Sequence, residues 1–372
     1  SGLGTKPVAR LALTMSVPTI VAQAANASYT IIDRLFIGHI PEVGDAAMTG
    51  VGICFPILLA VTAFASLAIY DAQTLSLTAD IAGSFTLEVL KGTLMAMDER
   101  LMAVRPHPDQ INTAANIRAI LKDSPMLERY RGHRVQDALS IRCMPQLHGP
   151  VKKAVKDAQT TLAIELNSSV DNPLIFDEED GGAVALMGCN ADGTYAGMAS
   201  DNLCIAITDL CKMSNSRIDR LLNSLVSELP AFLNKNADFN NGLMMIQYAS
   251  AGLQGELRIL AHPAVVDNLT TCANQEDYVN MGYNAAKKAY DSMHLAKYIL
   301  AAELICDGQA LDCYEDKRCA KGTQAIYDLL RTKVPEMDND MPLTPYLEAV
   351  AQQIIDRAYI RTVEASVGEL KF

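Results

Sequence analysis

Two long uncharged runs open the chain, one of 22 residues over 11–32 and one of 25 over 46–70, and behind them apolar residues recur at helical spacing to residue 372. At about 1.5 Å per residue either run would reach roughly 33 Å or more as a helix, enough to cross a bilayer. The pattern therefore predicts an apolar helical hairpin over residues 1–70, with membrane contact expected through 11–70. Lys6 and Arg10 precede the first run and the turn between the runs is net acidic, which places both ends of such a hairpin on the cytoplasmic side. Pro18 and Pro56 lie inside the runs, where membrane helices tolerate proline when neighbours satisfy the freed carbonyls. Ser, Thr, Gln and Asn in the first run keep open the alternative of two buried helices in a soluble core.

From Asp71 onward the apolar spacing is helical and no segment sustains the period-two alternation of a strand, so the expected fold class is all-α. Leu75, Ala79, Ala82, Phe85 and Leu90 form one stripe; Leu203, Ile207, Leu210, Met213 and Arg217 form another along about 30 residues. Further helices are expected near 149–167, 241–261, 284–310 and 344–359, punctuated by Pro150, Pro230, Pro263 and Pro342. The two weak linkers are the strings DEEDGG at 177–182 and PEMDNDMP at 335–342.

Charge divides the chain where the pattern does. Residues 1–70 hold three basic groups (Lys6, Arg10, Arg34) and three acidic ones (Asp33, Glu42, Asp45), so the net charge of −12 lies entirely beyond Tyr70. Two domains are expected, 1–70 and 71–372. The acidic second one is long enough to bury a large core and has the wrong sign for a phosphate backbone, which argues against a nucleic-acid partner. Nine cysteines include no Cys-x-x-Cys pair and no Cys/His cluster at zinc spacing. They read as reduced thiols, mostly packed in a core, in a cytoplasmic protein with no metal site. Ser1 in place of a methionine reads as a fragment or a trimmed start.

Four polar segments interrupt the helices with groups that a simple bundle core has no reason to hold: 133–149, 165–173, 240–256 and 273–282. The first holds Gln136, Arg142 and Gln146, and Arg142 beside Gln136 offers a planar fork for a substrate carboxylate plus an amide to orient it. Glu276, in an Asn-Gln-Glu-Asp cluster with Gln275, can accept from a cationic or imidazole group, or act as a base if burial raises its pKa. Structural roles are equally open to these residues: Arg142 in an ion pair, and Glu276 with Asp277 at a helix N-cap.

In order along the chain, AVRPHPDQ (103–110), VQDALSIRCMPQLHG (135–149), NSSVDNP (167–173), LPAFL (229–233), LAHPAVVD (260–267) and ANQED (273–277) resemble the motifs of the histidine ammonia-lyase family of aromatic amino-acid lyases. The resemblance covers residues 71–372. It implies a long central helical bundle of the fumarase/aspartase-like type, a homotetramer, and active sites assembled from several subunits. The family reaction eliminates ammonia from an amino acid, using an electrophilic methylidene-imidazolone made from an internal Ala-Ser-Gly. By motif, Gln136 would face that electrophile, Arg142 and Gln275 would bind the substrate with Arg142 on its carboxylate, and Glu276 would meet its side chain. A carboxylate at that position fits the imidazole of histidine. The string PVARLALTMSVPTIVAQAANASYTIIDRLFIGHI followed by GVGICFPILLAV is similar to the first two helices of multidrug and toxic compound extrusion transporters.

The chain departs from the lyase pattern at several points. No Ala-Ser-Gly occurs in the 372 residues; the nearest string is Ala249-Ser250-Ala251-Gly252. Leu139 stands where the motif has a tyrosine, and Ala191, in CNADG, where it has a phenylalanine. The expectation is a truncated histidine ammonia-lyase homologue that does not turn over histidine to urocanate alone. A non-catalytic helical partner of an intact lyase and a membrane-transporter fragment are the alternatives.

Overall fold

A computed structural model describes residues 44–179, 181–236 and 239–372, with side chains from residue 60 onward. The first expected run, 11–32, and the opening of the transporter-like string lie outside these residues.

The chain folds into helices α1 (Gly44–Val89), α2 (Glu99–Ala103), α3 (Pro108–Ile120), α4 (Pro125–Arg129), α5 (Leu139–Arg142) and α6 (Met144–Glu165). A hairpin of β1 (Leu174–Asp177) and β2 (Ala183–Leu186) precedes α7 (Thr194–Leu222), α8 (Ser224–Ser227), α9 (Met244–Leu260) and α10 (Gly282–Asp312). The last three are α11 (Lys321–Arg331), α12 (Thr344–Ile355) and α13 (Ala358–Val367). Among the described residues two compact units are distinguished, one holding residues from 44–60 and 169–191, the other from 61–168 and 192–372. In the first, β1 and β2 pair antiparallel with Leu174 opposite Leu186. This hairpin was not foreseen from the sequence, which marked only its turn, because four-residue strands are too short to show alternation.

The second unit carries the core. Helix α10 packs along α7, α6 lies against α7, α3 against α6, and α9 against both α7 and α10. Both expected stripes are inside: Leu75, Ala79, Ala82, Phe85 and Leu90 are buried, and so are Leu203, Ile207, Leu210, Met213 and Arg217. The expected 241–261 and 284–310 segments match α9 and α10 to within a few residues. Helix α6 begins earlier than expected, at Met144, and continues through Pro150. It lies close against α3, since a Cβ on Gly149 would stand 2.8 Å from the backbone N of Gln110.

The expected boundary at Tyr70 and Asp71 falls inside α1, which runs unbroken through both residues. Val61, Ala65, Ala68 and Ile69 are buried in the same core as Ala72 and Leu75. Among the described residues no helix is long and apolar enough to cross a membrane. The expected span over 46–70 is therefore not supported: Val61, Ala65, Ala68 and Ile69 pack into the core of the helical unit, where neighbours remove them from water, while Leu67 and Tyr70 stay exposed.

A polar layer crosses this core. Arg217 of α7 and Glu303 of α10 form an ion pair with no exposed side-chain surface, and a second Arg217 nitrogen donates to Glu303 at 3.0 Å. Thr86 of α1 donates to Glu303 at 2.9 Å or to Asp307 at 2.7 Å. One cation thus faces two carboxyl groups. Burial, with Glu303 adding to it, pushes the Asp307 carboxyl well above the usual carboxylate range. Nearby, Asp80 of α1 accepts from Lys152 at 2.5 Å and from Asn116 at 2.8 Å, and pairs with His148 at 2.8 Å.

Candidate active site

Arg142 closes the one-turn helix α5, where its backbone N donates to Ala138 at 2.9 Å. The buried Arg217 also reaches this helix, donating to the Ser140 carbonyl at 3.3 Å. The core polar layer therefore fixes the backbone that carries Arg142. The Arg142 side chain is half-buried, its Nε is enclosed with no hydrogen-bond partner, and it has no ion pair among the described residues. The structural ion pair that the sequence left open is absent there. A guanidinium held this way in an acidic protein is a seat for an added carboxylate.

Gln136 lies on the bend before α5 and is exposed. The chain is pinned on both sides of it. Glu228 accepts from Lys91 at 2.8 Å and from Arg134 at 3.2 Å, and pairs with His133 at 3.0 Å. The Lys91 ammonium in particular holds its carboxyl down at about 2. On the other side Asp137 accepts from the Thr93 backbone N at 2.8 Å, and burial raises its carboxyl above the usual value. The backbone is fixed while the Gln136 amide stays free for an incoming group. Apolar side chains are also exposed nearby in the sequence, Val135 at 93% and Leu139 at 62%.

Gln275 and Glu276 are both exposed, on a turn preceding α10. Cys272, Ala273 and Asn274 take φ of 50°, 52° and 71° in succession, a left-handed run that costs side-chain-bearing residues of order 1 kcal/mol each. A bridge between Thr271 and Glu276 closes the turn, with Thr271 N donating to Glu276 O at 2.8 Å. Neither Glu276 nor Asp277 caps a helix, since α10 is preceded by Met281. Earlier along the chain, Asp201 accepts from the backbone N of Ala264 and Val265 at 2.7 and 2.9 Å. Asn268 accepts from Val279 N at 2.8 Å.

Among the described residues no hydrogen bond or ion pair joins Gln136 or Arg142 to Gln275 or Glu276. The two sets sit on separate exposed segments of the chain. The Ala249-Ser250-Ala251-Gly252 string is regular helix inside α9, and its Ser250 hydroxyl is buried, donating to Asn215 at 2.6 Å. It has neither the sequence nor the accessibility to become an electrophile. Among the described residues no group of three or more His, Cys, Asp or Glu is placed to hold a metal. The charge layer that anchors α5 was only partly legible, because Arg217 reads along the chain as one more position of an apolar stripe.

Residues 59–332 match the family model described as Aromatic amino acid lyase. Among characterised relatives, the chain is 41% identical over 308 residues to histidine ammonia-lyase 2 of Fusobacterium nucleatum, a match covering 82% of this chain and 60% of that protein. Its fold is similar to that of histidine ammonia-lyase from Trypanosoma cruzi, with a TM-score of 0.76, 32% identity and coverage of 82% of this chain and 58% of that one. It is also similar to a phenylalanine aminomutase of Pantoea agglomerans, with a TM-score of 0.74, 32% identity and coverage of 79% and 61%. The family match starts at residue 59, inside the segment likened above to a transporter, and that likeness is not supported. The chain spans about 60% of the length of the relatives it matches. The chain belongs to the aromatic amino acid lyase family.

Proposed function

We propose that the chain is the bundle and substrate-anchoring part of a histidine ammonia-lyase, and that these 372 residues alone do not convert L-histidine to urocanate and ammonia. The observation that carries the reading is Arg142: a half-buried guanidinium with an enclosed, unpartnered Nε, on a helix fixed by the core. In this reading Arg142 binds the substrate carboxylate, Gln275 assists, Glu276 receives the imidazole, and Gln136 faces the reacting centre. The family's methylidene-imidazolone has no precursor in these residues, so no step is assigned through it. Among the described residues no hydrogen bond or ion pair joins Gln136 or Arg142 to Gln275 or Glu276, which is consistent with sites completed by neighbouring copies in a homotetramer. The proposed location is the cytoplasm.

A spectrophotometric assay for urocanate tests the claim. The purified chain is expected to give no absorbance increase with histidine, and sustained turnover would overturn the assignment of inactivity.

A second reading, a non-catalytic partner that inserts into assemblies of an intact lyase, is favoured by exposed apolar side chains on α7 and α9. Tyr195 is 73% exposed, Met198 60%, Tyr248 68% and Ile259 75%. Co-purification with a full-length lyase is its expected signature.

A further inference from the structure

A cavity of about 1060 Å³ opens among the start of α3, α6, α7 and α9. It is as large as the roomier small-molecule sites, which run to about 1,000 Å³. None of Gln136, Arg142, Gln275 and Glu276 lines it. One wall is the 105–110 segment, to which the lyase reading gives no role. Leu147, Val151 and Ala154 recur at helical spacing on α6 and, with Ile205 and Ala206 of α7, supply an apolar surface.

The charges around this space do not balance. Asp109, Asp157 and Asp209 line it, and each is already paired with a lysine: Lys156, Lys153 and Lys212 respectively. Arg105 and Arg258 also line it, and neither has an ion-pair partner among the described residues. Two guanidinium charges are thus left over in a protein of net charge −12. Such an excess attracts a carboxylate and can hold it through paired N–H donors.

Two amide oxygens at the same cavity need the opposite kind of partner. Gln254, one turn before Arg258 on α9, is only 2% exposed; its Nε2 donates to the Thr208 carbonyl at 3.2 Å, and its Oε1 is buried without a donor. Gln146 Oε1 is likewise buried and without a partner. A buried acceptor left unsatisfied is costly, so a ligand that brings a donor gains from satisfying it in addition to its own contacts. An inorganic anion answers the arginines but not the amides. A simple amine answers the amides and is repelled by the arginines.

We propose that this cavity binds a free α-amino acid with a bulky apolar side chain. Its carboxylate lies at Arg105 and Arg258, its ammonium donates to the amide oxygens of Gln254 and Gln146, and its side chain lies on the apolar surface of α6 and α7. The inference is independent of the lyase reading, because it uses none of the residues assigned to that reaction.

The chain contains no tryptophan, so the fluorescence anisotropy of added L-tryptophan reports its own binding directly. A saturable rise is expected with the wild-type chain. Removing either polar end of the probe, as in indole-3-propionate or tryptamine, is expected to weaken binding at least about tenfold. Arg258→Gln and Arg105→Gln, both at exposed positions that leave the core untouched, should each weaken tryptophan to a similar extent. Gln254→Leu should abolish the preference for tryptophan over indole-3-propionate, and Arg142→Gln should leave binding unchanged. No saturable signal, equal binding of tryptamine, or wild-type affinity in both arginine variants would overturn the proposal. Loss of binding in Arg142→Gln would instead place the amino acid at the candidate active site.

Discussion

Buried charge at single residues sets how this protein responds to pH. The Asp307 carboxyl is pushed well above the usual carboxylate range by burial and by Glu303 beside it, and Glu88 is likewise raised, chiefly by burial. A carboxyl raised in the fold contributes stability that is complete below its unfolded value and is lost as pH rises through its folded value. His148 and Asp80 work in the other direction. Burial lowers the His148 pKa, so its contribution falls away below its ordinary value of 6.5. Asp80, fully buried, is lowered by Lys152 and His148 in spite of desolvation, so its contribution is lost at pH below 3.8. Wild-type stability is therefore expected to decline toward alkaline pH, with a slope of up to about 1.4 kcal/mol per pH unit for each raised acid that titrates. Asp307→Asn should flatten that decline. Melting temperatures of both proteins across pH check this, and parallel profiles would refute it. At Arg217 the sign is simpler. Arg217→Met strands Glu303 in the core and should cost about 3–5 kcal/mol in urea unfolding, whereas the double change with Glu303→Leu should recover much of the loss.

At the scale of helices, close backbone approach decides which changes are tolerated. Helix α6 meets the start of α3 at Gly149, where an added Cβ would stand 2.8 Å from Gln110 N and 2.9 Å from its Cα. Because the obstacle is backbone, Gly149→Ala should destabilise by about 1–3 kcal/mol although alanine is the better helix former. Chemical denaturation reads this out, and an unchanged midpoint would show that the helices can separate at little cost. Much at this scale was legible in advance, since helical periodicity located both buried stripes and the long helices. The β-hairpin was missed for want of length. The boundary expected at Tyr70 lies within α1, and charge-free sequence looks alike whether lipid or packed protein covers it; here Val61, Ala65, Ala68 and Ile69 are covered by protein.

For the molecule as a whole, the proposal rests on a candidate site in which, among the described residues, no hydrogen bond or ion pair joins Gln136 or Arg142 to Gln275 or Glu276. Gln136, Arg142, Gln275 and Glu276, singled out by motif, are exposed or half-buried in the structure, and where they lie relative to one another could not be read from spacing. Contacts between distant segments are set by packing, and contacts between copies leave no periodic trace. If copies complete the site, the 40.2 kDa chain should sediment as a larger species at micromolar concentration. Tyr248→Asp and Ile259→Asp, at exposed apolar positions of α9, should shift it toward monomer. A single monomer-sized boundary for the unmodified chain would remove the homotetramer from the proposal.

The turn at Cys272–Asn274 bears on how this family can change its chemistry. The direction in which Gln275 and Glu276 point is set by a left-handed backbone run and the Thr271–Glu276 bridge, and not by anything their own side chains touch. Exchanging either side chain is therefore nearly free of thermodynamic consequence, within about 0.5 kcal/mol, as for other exposed positions without partners. Under the proposed substrate roles, the acid and the amide at these two positions can drift under selection for a new substrate while the scaffold stays as it is, which makes this turn a place of high evolvability.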